Sequence, residues 1–201
     1  MDIQSESKLI FFHSNEHFFD YINKIGYEKD INEKEFVSIL KEYTNKKFIQ
    51  INGYLRKGDY SPNTESGIAS IFLFGLPMML HLFLLTDIKT LYYGLLDKIN
   101  VRNLINIKVG TVVYRGIKTK PPSSWKVGDT FYFPEFISTS KKLDIAKSFG
   151  NYIFIITLYG KGFKGIEKLS LLPNEDEVLI CAYSKFTITK IIGNYYYMNK
   201  Y

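Results

Sequence analysis

The hydrophobic pattern changes near residue 108, and this change constrains the fold more than any other feature of the sequence. Before it, apolar residues recur at spacings of three and four, which predicts amphipathic helices. After it, short apolar runs alternate with glycine, proline and asparagine, which predicts strands. Helices followed by strands predict an α+β fold, in which an N-terminal helical lobe packs against a mostly antiparallel β-sandwich core.

The predicted elements follow from this pattern. Helical repeats are formed by Phe18, Tyr21, Ile22 and Ile25, by Phe36, Ile39, Leu40 and Tyr43, and by Leu91, Leu95, Leu96 and Ile99. Asn32 is a candidate N-cap of the second helix, since Glu35 follows three residues later. Strands are predicted at Thr111–Tyr114, Thr130–Phe133, Phe136–Thr139, Tyr152–Tyr159, Glu177–Tyr183 and Phe186–Ile192, with a helix over Lys142–Phe149. We expect a single domain over 1–201, made of a helical lobe (1–108), a β-rich core (109–193) and a tail (194–201).

The composition is that of a folded chain. Hydrophobic residues make up 46% of the 201 positions and aromatic residues 16%, so the chain has enough apolar surface to offset the entropy of ordering. The single cysteine, Cys181, excludes an internal disulfide and a Cys-rich zinc site. A reducing compartment is therefore favoured.

Two segments bear on export and on membranes. Acidic residues lie among the first eight positions and no long apolar run follows, so we expect no cleaved signal peptide. The stretch Ile68–Leu85 has 18 residues without a charge, the lower limit for a membrane span. Because Gly75, Pro77 and His81 interrupt it, we expect a buried core helix with Pro77 in its first turn.

The positive charge is concentrated in the second half of the chain. Residues 1–100 carry 11 basic and 13 acidic side chains, whereas residues 101–201 carry 15 and 7. A nucleic acid, a phosphate-bearing small molecule or a solvated lysine-rich face would each account for this imbalance. The tyrosine-rich end, Tyr195–Tyr201, would also suit bases stacked on aromatic rings.

Arg115 is the first candidate for chemistry. It ends a predicted strand, where a guanidinium can hold a pyrophosphate through two parallel hydrogen bonds; a surface salt bridge is the alternative. Gly116 follows it, and the missing side chain would let the backbone approach a flat ligand.

Hydroxyl groups and carboxylates supply the other candidates. Ser138, Thr139 and Ser140 lie where a strand opens into the helix near Lys142, and Ser140 alternatively caps that helix. Glu175 and Glu177 would point to one face of an extended strand, so that two carboxylates meet one substrate. A solvated acidic loop is the alternative, although the apolar run after Glu177 would anchor the pair.

In this order, the three segments resemble the Arg–Ser–Glu class of mono-ADP-ribosyltransferases, which includes arginine-modifying bacterial toxins and animal ecto-enzymes. The segments are Val113–Gly116, Phe136–Ser140 and Glu175–Ile180, with softer matches at Tyr43-Thr44, Ile51-Asn52, Leu55-Arg56 and Trp125–Asp129. The resemblance covers about residues 36 to 192.

The resemblance implies that NAD binds in a cleft of the β-rich catalytic core and is a substrate. The N-glycosidic bond to nicotinamide is cleaved and ADP-ribose is transferred to an arginine of a target protein. Ser138 would support the catalytic glutamate and the nicotinamide ribose, and Arg115, Gly116, Thr139 and Ser140 would complete the NAD site. Phe149 would pack against nicotinamide, or else belong to the core of its helix.

The two glutamates receive different roles. Cleavage develops positive charge on the ribose, which the Glu177 carboxylate would stabilise. A guanidinium acceptor is protonated at neutral pH, since its pKa lies above about 12. Glu175 would help to remove its proton during attack, and in the family a glutamate at this position accompanies arginine as the acceptor.

Other functions remain open at this point. Water would replace the acceptor in an NAD glycohydrolase, and an inactive module would bind NAD or a partner without chemistry. His13–His17 fits the H-x-x-E-H pattern of one metallopeptidase class, but a third ligand is missing, so we expect no metal. We also expect neither a nucleic-acid nor a membrane partner.

The sequence departs from the ecto-enzymes it resembles. Those carry a signal peptide and disulfides, and neither is found here. We therefore expect a toxin or effector that is cytoplasmic, or that is secreted by a route independent of a signal peptide.

Overall fold

The computed structural model describes residues 9–24, 31–57, 75–171 and 173–201. The described helices are α1 (Glu16–Lys24), α2 (Glu33–Glu42), α3 (Phe48–Lys57), α4 (Gly75–Tyr93) and α5 (Leu143–Phe149). π-helical turns follow α2 and α4 at Tyr43–Lys47 and Gly94–Lys98. The described strands are β1 (Val112–Ile117), β2 (Thr130–Tyr132), β3 (Ile137–Ser140), β4 (Tyr152–Leu158), β5 (Phe163–Gly165), β6 (Glu177–Ile180), β7 (Lys185–Ile192) and β8 (Tyr195–Lys200).

The helical lobe forms as its apolar spacing predicts. Phe18 on α1 and Phe36 and Leu40 on α2 are fully buried. The predicted N-cap is confirmed, because the Asn32 side chain accepts a hydrogen bond of 2.9 Å from the Lys34 N–H. Between α2 and α3 the backbone leaves the helical region, with a φ of 93° at Lys46. The chain therefore bends there, and α3 begins a separate helix.

Helix α4 only partly matches the predicted core helix over Ile68–Leu85. Pro77 lies in its first turn, as predicted, while residues 68–74 lie outside the described residues. Among the positions whose burial is described, Phe83 is 61% exposed, whereas Asp87, Ile88 and Leu91 are buried. No helix in the described part of the chain has the length and apolarity needed to cross a membrane.

The β-rich half forms one network of eight described strands in the order β2-β7-β8-β4-β1-β3-β6-β5. Its described pairs are antiparallel except for β4 with β8. β1 and β3 are paired at Tyr114 and Ser140, and the strands on either side of this junction share one core. The predicted α+β class, with a helical lobe against a mostly antiparallel sandwich, is confirmed.

Strand β6 explains how the two parts of the fold meet. Val178 and Ile180 belong to the core between the strands, whereas Leu179 belongs to the core shared with the helices. Successive side chains of a strand point to opposite faces, so this unbroken apolar run is buried on both sides. The strand that carries Glu177 is thus held from both faces.

The prediction of a tail at residues 194–201 is wrong. Strand β8 lies inside the sheet between β7 and β4, with Tyr196 and Met198 in the core. The hairpin from β7 turns at Gly193, whose φ of 54° suits glycine. A run of tyrosines suits either a buried or an exposed face, so polarity does not alternate clearly along this strand.

Lys200, the last residue of β8, is a buried ionisable side chain. The Lys200 ammonium is buried, donates to the Lys161 carbonyl and lies 5.2 Å from the centroid of the Phe163 ring. Burial lowers the pKa of Lys200 from 10.5 to about 8. Between about pH 8 and pH 10.5 the unfolded chain binds more protons than the folded chain, so the free energy of unfolding rises with pH in this range. The cost of burying the charged lysine is therefore present at neutral pH and is lost as the pH rises.

We expect Lys200→Met to unfold at a higher denaturant concentration than the wild type at pH 7, with a difference that shrinks as the pH rises from about 8 to 10.5. Denaturant titrations at several pH values measure this difference. The exposed Lys185→Met is the matched control for the substitution itself. A constant difference for Lys200→Met would mean that its pKa is ordinary.

Candidate active site

A cavity of about 420 Å³ lies at the junction of the helical lobe with β1, β3 and α5. All of the predicted site residues line it, namely Arg115, Gly116, Ser138, Thr139, Ser140, Phe149, Glu175 and Glu177. They come from segments up to about 60 residues apart in the sequence, and the sheet order brings β1, β3 and β6 together. Candidate residues that lie on separate segments of the sequence therefore line one cavity.

Glu177 is the most firmly held carboxylate of the cavity. It is the first residue of β6 and is 7% exposed. The Ser138 hydroxyl donates to Oε1 over 2.7 Å, and the Ser170 hydroxyl donates to Oε2 over 3.1 Å. Each oxygen has its own donor, so the orientation of the carboxylate is fixed.

The protonation of Glu177 is set by opposing effects. Burial raises the pKa of this carboxyl, and the hydrogen bonds from Ser138 and Ser170 lower it because they stabilise the charged form. The negative charges of Glu175 and Glu167 raise it further. The net result is a pKa above the ordinary glutamate value, with the serines limiting the shift.

Glu175 reaches the cavity by a different geometry from the predicted one. It lies in a 3-10 turn, Pro173–Glu175, and the next residue, Asp176, has a φ of 46°. Glu175 and Glu177 therefore do not share an extended strand, and strand alternation is not the reason why they lie together. The left-handed residue between them turns the chain so that both side chains line the cavity.

The turn that carries Glu175 is tied to the start of α5. The Ser140 hydroxyl donates to the Glu175 carbonyl over 2.6 Å and accepts from the Lys142 N–H over 2.9 Å. The Lys142 ammonium lies 3.0 Å from the Asp176 carboxylate. Helix α5 begins at Leu143, and Ser140 precedes its N-cap, Lys142, by two residues. Ser140 thus holds the turn instead of capping the helix.

Arg115 lies inside β1 and is held by a carboxylate that the sequence analysis missed. Its Nη2 donates to Glu135 Oε1 over 2.6 Å, and its Nη1 donates to the Ser138 carbonyl over 3.4 Å. Arg56, from α3, donates through Nε to the other oxygen of Glu135. Both arginines line the cavity.

Gly116 is required by packing. A Cβ atom there would overlap the carbonyl of Ala146 on α5. The missing side chain lets β1 and α5 approach each other, which differs from the predicted approach to a flat ligand. The residue also lines the cavity, so its backbone is open to a ligand as well.

Thr139 and Phe149 differ in how they meet the cavity. The Thr139 hydroxyl is buried and donates to the Val178 carbonyl over 2.7 Å, so it joins β3 to β6. Phe149 ends α5 and is 50% exposed, whereas Ala146 is the buried residue of that helix. Phe149 is therefore not a core residue, and it lines the cavity.

Asn52 and Tyr43, from the helical lobe, also line the cavity. The Asn52 side chain accepts from the Phe136 N–H over 3.1 Å and donates to the Phe136 carbonyl over 3.2 Å. The Tyr43 hydroxyl donates to the same carbonyl over 3.3 Å. These bonds fix the start of β3 against α3. Both residues were among the softer matches to the family in the sequence. The signal that could have identified them as site residues is a polar side chain at a buried position of a helix.

The H-x-x-E-H pattern does not form a helical metal site. Helix α1 begins at Glu16, so His13 precedes it and does not share a helical face with His17. Among the described residues, no group of three or more His, Cys, Asp or Glu side chains is placed to hold a metal ion.

The chain belongs to the NAD:arginine ADP-ribosyltransferase family, whose sequence profile matches residues 79–197. Rat ecto-ADP-ribosyltransferase 5 is 33% identical over 84 residues, a match that spans 41% of this chain and 26% of that protein. The family resemblance inferred from the motifs is thereby confirmed, and NAD is the substrate of this family.

Solved structures share the fold. The ADP-ribosyltransferase toxin Vis of Vibrio splendidus aligns with a TM-score of 0.57 and 24% identity, over 92% of this chain and 80% of Vis. Exoenzyme S of Pseudomonas aeruginosa aligns with a TM-score of 0.58 and 15% identity, over 94% and 83%. The eukaryotic enzyme ART2.2, in a structure with NAD, aligns with a TM-score of 0.51 and 19% identity, over 92% and 74%.

The hydrogen bond from Ser138 makes the pH dependence of the site testable. The Ser138 hydroxyl lowers the pKa of Glu177 by donating a hydrogen bond to the charged form, whereas burial raises it. Ser138→Ala removes this donor, so the pKa of Glu177 should rise. If the ionised carboxylate is needed, the acidic limb of the rate of NAD cleavage moves to higher pH. A pH–rate profile of nicotinamide release measures this, with the exposed Ser148→Ala as the control. An unmoved limb would mean that another group titrates.

Proposed function

We propose that this protein cleaves NAD at the nicotinamide N-glycosidic bond and transfers ADP-ribose to an arginine side chain of a target protein. The observation that carries the proposal is the Glu177 carboxylate, held by Ser138 and Ser170 inside a cavity that Arg115 and Glu175 also line. A fixed carboxylate beside fixed cations suits a substrate with a diphosphate and a ribose that becomes positively charged.

NAD binding depends on positive charge and on an exposed ring. Arg115 and Arg56 line the cavity, and their guanidinium groups suit the two phosphates, since a planar guanidinium pairs with phosphate oxygens through parallel hydrogen bonds. The half-exposed ring of Phe149 offers a flat apolar surface for the nicotinamide.

Bond cleavage is the step assigned to Glu177. The electron pair of the C1′–N bond moves onto nicotinamide, which leaves as a neutral molecule, and the ribose becomes an oxocarbenium-like cation. A carboxylate that is already oriented stabilises this charge without reorganising. Ser138 contributes by holding one oxygen of that carboxylate in place.

Transfer to arginine is the step assigned to Glu175. An acceptor guanidinium is protonated and becomes a nucleophile only as a proton leaves. A second carboxylate in the same cavity accepts that proton while the new C–N bond forms at the ribose. The family name and a structure of Vis in complex with agmatine, a guanidinium compound, support an arginine-like acceptor.

Glu177→Gln tests the cleavage step. The amide keeps the size of the side chain but removes the charge, so the oxocarbenium-like state loses its stabilisation. We expect nicotinamide release, with or without an acceptor, to fall at least about a hundredfold. The exposed Glu33→Gln on α2 is the control for the substitution itself. Near-normal release from Glu177→Gln would remove the catalytic role of Glu177.

Glu175→Gln separates transfer from hydrolysis. Modification of a guanidinium acceptor such as agmatine should be lost, while much of the NAD cleavage persists, since the two steps use different carboxylates. The ratio of ADP-ribosylated acceptor to released nicotinamide measures this. A parallel loss of both activities would mean that Glu175 shapes the NAD site. A wild-type protein that releases nicotinamide but never modifies an acceptor would be an NAD glycohydrolase.

A further inference from the structure

Glu135 is a buried carboxylate that none of the roles above uses. It immediately precedes Phe136, at the start of β3, and is 6% exposed. One of its oxygens accepts from Arg115 on β1, and the other accepts from Arg56 on α3. A single side chain therefore joins the two cavity arginines and, through them, the helical lobe to the sheet.

Pairing of this kind has a clear energetic reason. A carboxylate taken out of water is unfavourable unless its oxygens are hydrogen-bonded and its charge is balanced. Here each oxygen has a guanidinium donor. Conversely, Arg56 and Arg115 carry like charges on long side chains, which without Glu135 would repel each other and occupy more rotamers. The carboxylate offsets that repulsion and limits that freedom.

The arrangement leaves donors for a ligand. Arg115 donates to Glu135 through Nη2 and to the Ser138 carbonyl through Nη1, and Arg56 donates to Glu135 through Nε. An arginine has five N–H donors, so both groups keep some for an anion in the cavity. Because Glu135 touches both guanidinium groups, it determines how far apart the remaining donors lie.

We propose that Glu135 is the positioning residue of this site: it sets the spacing of Arg56 and Arg115 to match the two phosphates of NAD. This inference rests on the proposed function, because it takes a diphosphate as the ligand. Glu135 acts through the arginines and has no contact with the reacting atoms. Its effect therefore falls on NAD binding and much less on bond cleavage.

Charge and geometry predict opposite results when Glu135 is neutralised. Removing one negative charge makes the cavity more positive, which by electrostatics alone would strengthen the binding of a diphosphate. Loss of the bridge lets the two guanidinium groups separate, which weakens binding that needs both at once. The direction of the change in NAD affinity therefore distinguishes a positioning role from that of a simple negative charge near the cavity.

The experiment compares Glu135→Gln and Glu135→Asp with the wild type in the full chain. We expect Glu135→Gln to raise KM for NAD, and the Kd for ADP-ribose measured by titration, at least about tenfold, with kcat within about threefold. Aspartate keeps the charge but is shorter, so its KM should lie between the two. Asp87→Asn is the matched control, since Asp87 is also 6% exposed and paired with Lys47 over 2.6 Å.

The possible results are distinct. Equal or tighter NAD binding by Glu135→Gln overturns the positioning role. If Glu135→Gln does not fold, Glu135→Asp decides, because a wild-type KM in that variant has the same meaning. An equal rise of KM in Asp87→Asn shows that loss of any buried ion pair has this effect and also overturns the inference. A wild-type protein that binds neither NAD nor ADP-ribose rejects the proposed function instead.

Discussion

The pairing of β1 with β3 at Tyr114 and Ser140 is the constraint on which the site depends. Beyond this pair the two strands diverge, and residues of both line the cavity. A fully paired sheet would place backbone hydrogen bonds where the cavity now lies. Arg115 and Ser138 thus face one space because the sheet is joined at this point yet not closed beyond it.

Polar side chains hold this opening in shape. Asn52 forms hydrogen bonds with both the N–H and the carbonyl of Phe136, so the residue directly before β3 is fixed to the helical lobe. The Ser140 hydroxyl holds the carbonyl of Glu175 at the other end of β3. A buried hydrogen bond that loses one partner costs about 1 to 3 kcal/mol, so these contacts resist rearrangement of the site. The binding groups are therefore in place before a ligand arrives.

The sequence predicted the class of fold, the residues of the cavity and the contact of Ser138 with Glu177, but neither the bridge through Glu135 nor the turn at Asp176. Arg115, Ser138 and Glu177 were identifiable because their residue types occur in a recognisable order. The Glu135 bridge was not, since Glu135 and Arg56 are 79 positions apart and no local pattern links them. The left-handed Asp176 was also unforeseen, because aspartate occurs in extended and turn backbone as well as in the left-handed region. Long-range pairing and unusual backbone angles leave little trace in periodicity.

Strand β8 has a consequence for the order in which the protein assembles. It lies between β7 and β4, and β4 enters the chain more than forty residues before β8. During synthesis the sheet cannot be completed until residue 200 has left the ribosome, whereas the helices form from contacts close in sequence. One edge of β4 therefore stays unpaired until β8 has been synthesised, and in that interval the nascent chain is open to aggregation or to capture by a chaperone.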